Sequence, residues 1–388
     1  MFIVQKKDPL SSARIGILET AHGIIETPAY VVVGTHAKVR TLNAEDISHT
    51  NTQLIIANTY HLWRSIGDEG LITYQGVHGA LGWQGPMMTD SGGFQVFSMG
   101  SAREFGAGKM GKFRWQGFEA GKDQSIVHID DKGVWFRDVE GEHFLNAEKS
   151  INIQQQLGAD IIVAFDEPTS PLHDHAYTKQ SLKRTHAWAE RSLRTKTSNQ
   201  LLLGVVQGGH FKDLREESAR AIGAMPFEGF AIGGSFGSSY GSEKQHTFEE
   251  LDWTIPYLPE GKPRHLLGIG RIDDIFEGVA RGVDTMDCVI PTREARHAAI
   301  WTSEGRLNIK GKRFENDTTP LDPSCACVVC AEMKTSRGML RTLFRGKNLE
   351  AGRLATMHNI FFFNSLMAQI REAIKNETFD ELKNRYQS

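Results

Sequence analysis

Eight short apolar runs, amphipathic segments between several of them, and a polar or glycine residue at the end of nearly every run predict an α/β fold, a closed (β/α)8 or TIM barrel. The runs are 28–34 (PAYVVVG), 53–59 (QLIIANT), 86–93 (PMMTDSGG), 160–167 (DIIVAFDE), 201–209 (LLLGVVQGG), 229–234 (GFAIGG), 264–270 (RHLLGIG) and 284–291 (DTMDCVIP). Strand followed by helix, repeated, favours a parallel sheet covered by helices. The run ends then separate a closed sheet from an open one. Asn58, Asp90, Asp166, Gln207, Gly233, Gly234, Gly268 and Asp287 all fall there. In an open sheet one or two such groups are expected at the switch point, whereas a barrel brings all of them to one mouth.

The helices follow from period and caps. Segment 146–158 offers Asn146 as N-cap and Gly158 as a stop, and 178–195, 212–225 and 272–282 carry apolar residues at helical spacing. The Gly- and aromatic-rich stretch from VHGALGWQG (77–85) through GKMGKFRWQGF (108–118) to GVWFRDVEGEHF (133–144) predicts inserted antiparallel strands. Neither an internal repeat nor a low-complexity segment interrupts the pattern. The chain reads as a single domain, 1–388, that includes a small subdomain at 314–360.

Composition excludes several classes of protein. With 388 residues, 40% hydrophobic and 23% charged, the chain can bury a large core and is not disordered. No run approaches the ~18 apolar residues of a membrane span. The start, MFIVQKKDPLSSARIG, lacks the long apolar segment of a secretory signal. A soluble, cytoplasmic protein with no membrane partner is expected. The net charge of −3 is uneven: residues 293–353 hold twelve Lys/Arg against seven Asp/Glu, net +5, leaving the remainder at −8. That is either a local basic face or an ordinary solvated surface.

Three of the four cysteines fall in PSCACVVCAEM, as Cys325, Cys327 and Cys330. Such clustering points to metal rather than to disulfides. His358, in ATMHNIFFF, follows after a loop-and-helix stretch and would complete a shell of three thiolates and one imidazole. A closed shell of that kind suits a structural Zn2+, because it leaves no position for water. The His-Asp-His triplet at 173–175 sits in a Pro-flanked loop and reads as surface.

Asp287 poses the sharpest question, since a carboxylate inside an apolar run is costly unless it is paired or used. Asp90, ahead of Ser91-Gly92-Gly93, is either a reacting acid or a turn residue. Phe94 is either a stacking platform or a core aromatic, and Gln207 either reads a ligand or orders its loop. The GIG at 268–270 is not a dinucleotide fingerprint, since the third glycine is missing.

Taken together, TDSGGFQVFS, AFDE, VVQGG, AIGG, LLGIG, DCVIPTREAR and the C-x-C-x2-C with its distant His-Asn closely resemble the tRNA-guanine transglycosylases, the queuine tRNA-ribosyltransferase family, from about residue 27 to the C-terminal FDELKNRY. The resemblance implies a pentosyltransferase that exchanges guanine at the anticodon wobble position of G-U-N tRNAs for a 7-deazaguanine base, and a homodimer. It implies Asp287 as the nucleophile that captures ribose C1′ and Asp90 as the acid and base for the departing and incoming bases. A guanine-like edge would be read by Asp166, Gln207, Gly233, Gly234, Leu267 and Gly268, with Phe94 stacked on the ring. Arg271, Arg293 and Arg296 would hold the RNA.

The chain departs from the usual bacterial pattern around the base's 7-substituent. Pro168 stands where Cys is common, and Ser235-Phe236-Gly237-Ser238-Ser239 replaces a stretch containing Glu. Lost polarity and added room favour queuine, as in a bacterial subgroup associated with queuine salvage, over 7-aminomethyl-7-deazaguanine. Two other classes fit less well. A zinc hydrolase would need an open metal shell. A non-catalytic tRNA-binding subunit would not retain both Asp90 and Asp287.

Overall fold

The computed structural model describes residues 1–97, 127–138, 140–234 and 244–387. An antiparallel sheet opens the chain, with β1 (Phe2–Lys7), β2 (Arg14–Thr20) and β3 (Gly23–Thr27). Then come β4 (Ala29–Val33), β5 (Leu54–Ala57) and β6 (Met87–Thr89), followed by an inserted antiparallel sheet of β7 (Val127–Ile129), β8 (Val134–Asp138) and β9 (Gly141–Leu145). The remaining strands are β10 (Ile161–Val163), β11 (Leu201–Val206), β12 (Gly229–Ile232), β13 (Arg264–Leu266) and β14 (Thr285–Asp287), with a hairpin of β15 (Ala299–Thr302) and β16 (Gly305–Asn308). Eight of them close into one barrel in the order β10-β11-β12-β13-β14-β4-β5-β6. Every predicted apolar run contains one of these strands, and each run overshoots its strand or starts ahead of it.

The chain divides into two compact units, Met1–Ala57 with Val77–Met87 and Gly268–Ser388, and Asn58–Gly76 with Met88–Leu267. In the first, β14, β4 and β5 pair in parallel, with Thr285 opposite Ala29 and Val31 opposite Leu54. At the start of β14 the fully buried Asp284 receives Arg14 in a fork, Nε at 2.9 Å and Nη2 at 2.6 Å. The 27-residue helix Leu349–Lys375 packs on β1, β2, β4 and β15, burying sixteen of its residues.

In the second unit, β10, β11, β12 and β13 pair successively in parallel, and almost every strand residue is buried, as expected for a parallel sheet covered by helices. β10 meets β6 only at Ile161 opposite Met88. Gln154 fills that seam: its amide accepts from Val163 N and Thr89 Oγ1 and donates to Val163 O, replacing missing ladder bonds. It reaches there from the helix Ala147–Leu157, which Asn146 caps through Lys149 N and Gly158 ends in the left-handed region at φ 70°. Helix His175–Thr195 begins ahead of its predicted run because Asp174 caps Tyr177 N at 2.8 Å. Helices Lys212–Gly223 and Ile272–Ala280 lie where periodicity places them.

Candidate active site and metal centre

In parallel barrels functional groups sit at the C-terminal strand ends, and each candidate residue here lies at or just beyond such an end. Asp90 follows β6 directly, Gln207 follows β11, Gly233 and Gly234 follow β12, Leu267 and Gly268 follow β13, and Asp287 is the last residue of β14. Asp166 comes three residues after β10.

Asp90 sits among donors. Its Oδ1 accepts from Thr59 N at 2.9 Å and Gly92 N at 3.2 Å, and its Oδ2 accepts from Asn58 Nδ2 and, at 3.4 Å, from Gln95 Nε2. The Gly92 contact is the turn role anticipated for it; the Asn58 and Thr59 contacts go beyond a turn and fix the carboxylate's rotamer. Gly92 has φ +78°, a backbone that only glycine adopts without strain, and lies against Tyr60, where an added Cβ would come within 3.2 Å of Tyr60 N. Phe94 is 55% exposed, so it is not a core aromatic.

Asp166 is buried and bridged, accepting from Ser91 Oγ at 3.1 Å and Gln207 Nε2 at 2.7 Å. Burial pushes its carboxyl up to about 6, against the lowering effect of Gln207 and Ser91. A carboxylate poised near neutrality can accept from a ligand N–H without a permanent counter-ion. Gln207 spends one amide proton on Asp166. Its amide packs directly on Gly233, where an added Cβ would lie 2.3 Å from Nε2.

Asp287 is half-buried rather than buried, and its Oδ1 accepts from Gly268 N at 3.1 Å. The buried acid of that apolar run is instead Asp284, matched by Arg14. Behind Asp287, Tyr30 Oη donates to Cys288 O at 3.0 Å. The helix Ile290–Arg296 begins three residues after Asp287 and carries Arg293, exposed, and Arg296, whose Nη1 donates to Thr292 O at 2.9 Å. Desolvation, then Arg40 and Arg293, lower the Arg296 pKa, so Arg40 belongs to the same positive cluster. Arg271 is exposed at the N-cap of helix Ile272–Ala280.

Cys325, Cys327, Cys330 and His358 bring four ligand atoms within 4.8 Å of one another. His358 Nδ1 lies 3.8, 3.5 and 3.3 Å from the sulfurs of Cys325, Cys327 and Cys330. Zinc bonds of ~2.3 Å to sulfur and ~2.0 Å to nitrogen give a tetrahedral S···N edge of ~3.6 Å, so the shell fits the ion. His358 Nε2 faces the Trp301 carbonyl at 2.7 Å. A carbonyl only accepts, so Nε2 carries the proton and Nδ1 presents its lone pair to the sulfurs. The next residue, Asn359, accepts from Trp301 N at 3.0 Å and donates to Ala299 O and Pro291 O. The metal helix is thereby tied to the helix bearing Arg293 and Arg296.

Local pattern left several of these residues out. Ser91 and Arg40 carry no sequence signal, and Arg215, discussed below, lies in a segment read only as a helix.

A parallel barrel with carboxylates on its strand ends and a Cys3His cluster positioned to bind a metal ion has the frame of a barrel enzyme. Residues 8–388 match the family model described as queuine tRNA-ribosyltransferase. Queuine tRNA-ribosyltransferases from Halothermothrix orenii (42% identity, 96% of this chain and 93% of the relative), Thermoanaerobacter sp. strain X514 (41%, 98% and 95%) and Staphylococcus haemolyticus (39%, 97% and 93%) are similar over nearly their whole length. The chain belongs to the queuine tRNA-ribosyltransferase family, the tRNA-guanine transglycosylases, and is a transferase of that class. Among the described residues, no helix is long and apolar enough to cross a membrane.

Proposed function

We propose that this chain exchanges guanine at the wobble position of G-U-N tRNAs for a 7-deazaguanine base, queuine by preference, through a covalent ribosyl intermediate on Asp287. The observation that carries the reading is Asp287 itself: a half-buried strand-end carboxylate beside the Gly268 N–H, in a chain of this family. Breaking the bond between C1′ and the base develops oxocarbenium character, which the carboxylate captures. Asp90, its rotamer fixed by Asn58 and Thr59, protonates the departing guanine and takes a proton from the incoming base. Two displacements retain configuration and give ping-pong kinetics. Asp166 accepts from the N1–H and exocyclic amine; the Gly234 N–H and the remaining Gln207 proton serve O6; Leu267 and Gly268 line the base; Phe94 stacks on it. Arg271, Arg293 and Arg296 engage the RNA backbone and anticodon. Bound zinc would supply folding energy at the Cys3His shell and take no part in the chemistry. The working form is a cytoplasmic homodimer whose chains are each a single catalytic domain.

The preference for queuine rests on residues 235–239, which lie outside the described residues, as does GKMGKFRWQGF. The deciding experiment follows labelled guanine exchanging into guanine-bearing tRNA, and then competes queuine against 7-aminomethyl-7-deazaguanine. No exchange at all would refute the reading; preference for the aminomethyl base would overturn queuine alone.

A further inference from the structure

Arg215 is fully buried in helix Lys212–Gly223 and directs its donors inward. Nε donates to Gly209 O at 2.7 Å, Nη1 to Gly233 O at 2.5 Å and Nη2 to Glu250 Oε2 at 2.7 Å. One planar fork therefore ties the turn after β11 to the peptide after β12. We infer that Arg215, held by Glu250, is a positioning residue that sets the base-reading peptide of Gly233 and Gly234; the inference rests on the base-exchange reading and deepens it.

The argument is one of peptide geometry. The only cis bond among the described residues is Thr27–Pro28, so the 233–234 peptide is trans and planar. Its C=O and N–H point in opposite directions. With the Gly233 carbonyl drawn to the interior guanidinium, the Gly234 N–H is turned away from it, and this N–H is the donor assigned to O6 of the base. The same peptide backs Gln207, whose amide lies against the Gly233 Cα and donates to Asp166. A rotated 233–234 peptide would thus remove the O6 donor, while Asp166 stays held by Ser91 as well as by Gln207.

A staple needed only for folding would accept any group that fills and neutralises the space. A positioning role requires the fork. Lysine offers a point charge on a flexible stem and cannot satisfy Gly209 O, Gly233 O and Glu250 in one plane. Replacing both partners by apolar residues of similar size removes the fork while avoiding an unpaired buried charge, at the cost of the donors to Gly209 O and Gly233 O.

The test compares wild type with Arg215→Lys and with the double variant Arg215→Met, Glu250→Leu, using guanine and 2-aminopurine, a purine that lacks O6 and the N1–H and meets Asp166 through its exocyclic amine alone. Guanine is followed by exchange into tRNA, and 2-aminopurine binding by its own fluorescence. Both variants should raise the KM for guanine about tenfold, equivalent to one lost base contact, with kcat and tRNA affinity kept. The 2-aminopurine Kd should stay near its wild-type value. Equal losses for the two bases, a fall in kcat alone, unchanged guanine KM, or failure of both variants to fold would overturn the inference. Wild type without exchange would refute the base-exchange reading instead, and take this inference with it; wild-type exchange with unselective losses removes the inference alone.

Discussion

Asp284 and Asp287 share one apolar run and separate two uses of a carboxylate. Asp284 is fully buried and forked to Arg14, so Asp284→Ala leaves a buried guanidinium uncompensated and should cost ~3–5 kcal/mol of stability. Asp287 is half-exposed with a backbone partner, so Asp287→Ala should shift stability by no more than ~0.5 kcal/mol. It should nonetheless abolish the covalent RNA adduct and base exchange, while Asp287→Asn keeps tRNA binding. Thermal unfolding and denaturing gels of trapped adduct check both; a stable adduct in the Ala variant would refute the nucleophile assignment. Asp166 makes a pH prediction. Its folded pKa, about 6, lies above the ordinary value, so the folded state holds the proton more tightly. Its contribution to stability therefore falls as pH rises from the ordinary carboxyl range towards about 6. Base recognition runs the other way, because only the ionised form has both oxygens free to accept from N1–H and the exocyclic amine, and with a full charge. Guanine affinity should weaken as pH falls through about 6, and Asp166→Asn should remove that step along with most of the affinity; a flat profile in wild type would exclude the role.

At the scale of elements, the barrel was legible because a parallel strand buried on both faces is a continuous apolar run, and all eight such runs hold a strand. Their ends were not, because strand-end residues such as Asp90 and Gln207 bond to loops rather than to ladders. β1 hid for a different reason: FIVQKK alternates half-buried with exposed residues and is too polar to stand out. The three cysteines at 325–330 were legible as a metal cluster from residue type and spacing, whereas spacing alone does not single out His358. Arg215 was not, since the segment from Lys212 holds six charged residues within nine and only tertiary placement buries this one. Two predictions belong here. Loss of Cys327 or His358 should lower metal content and melting temperature together, since metal binding is folding energy. tRNA binding should fall with them, because Asn359 joins the metal helix to Pro291 of the arginine helix. Metal analysis of Cys327→Ser beside a melting curve checks this; metal-free protein that stays folded and active would make the site incidental. Gly233→Ala drives a methyl into Gln207 Nε2, and overpacking of ~1–3 kcal/mol should raise the guanine KM tenfold or more with the fold intact.

For the whole molecule, the net charge of −3 conceals a local excess of positive charge. Residues 293–353 carry net +5, and Arg293 and Arg296 open that stretch immediately behind Asp287, with Arg40 close enough to oppose the Arg296 charge. Affinity for a polyanion comes from the local density of cations, since charges beyond the Debye length of ~8 Å at physiological salt are largely screened. An acidic remainder at −8 therefore need not prevent binding, and it disfavours adsorption of RNA elsewhere. Each phosphate contact releases condensed counterions and adds ~0.7 to ~0.9 to the slope of log K against log salt. Arg293→Ala and Arg296→Ala should each lower that slope by about that amount and weaken cognate and non-cognate tRNA alike, because phosphate contacts position without specifying. The Kd of free guanine should not move, since neither side chain is placed on the base. Filter binding across a salt series measures both; an unchanged slope with lost affinity for cognate tRNA alone would place these arginines on anticodon bases rather than on phosphates.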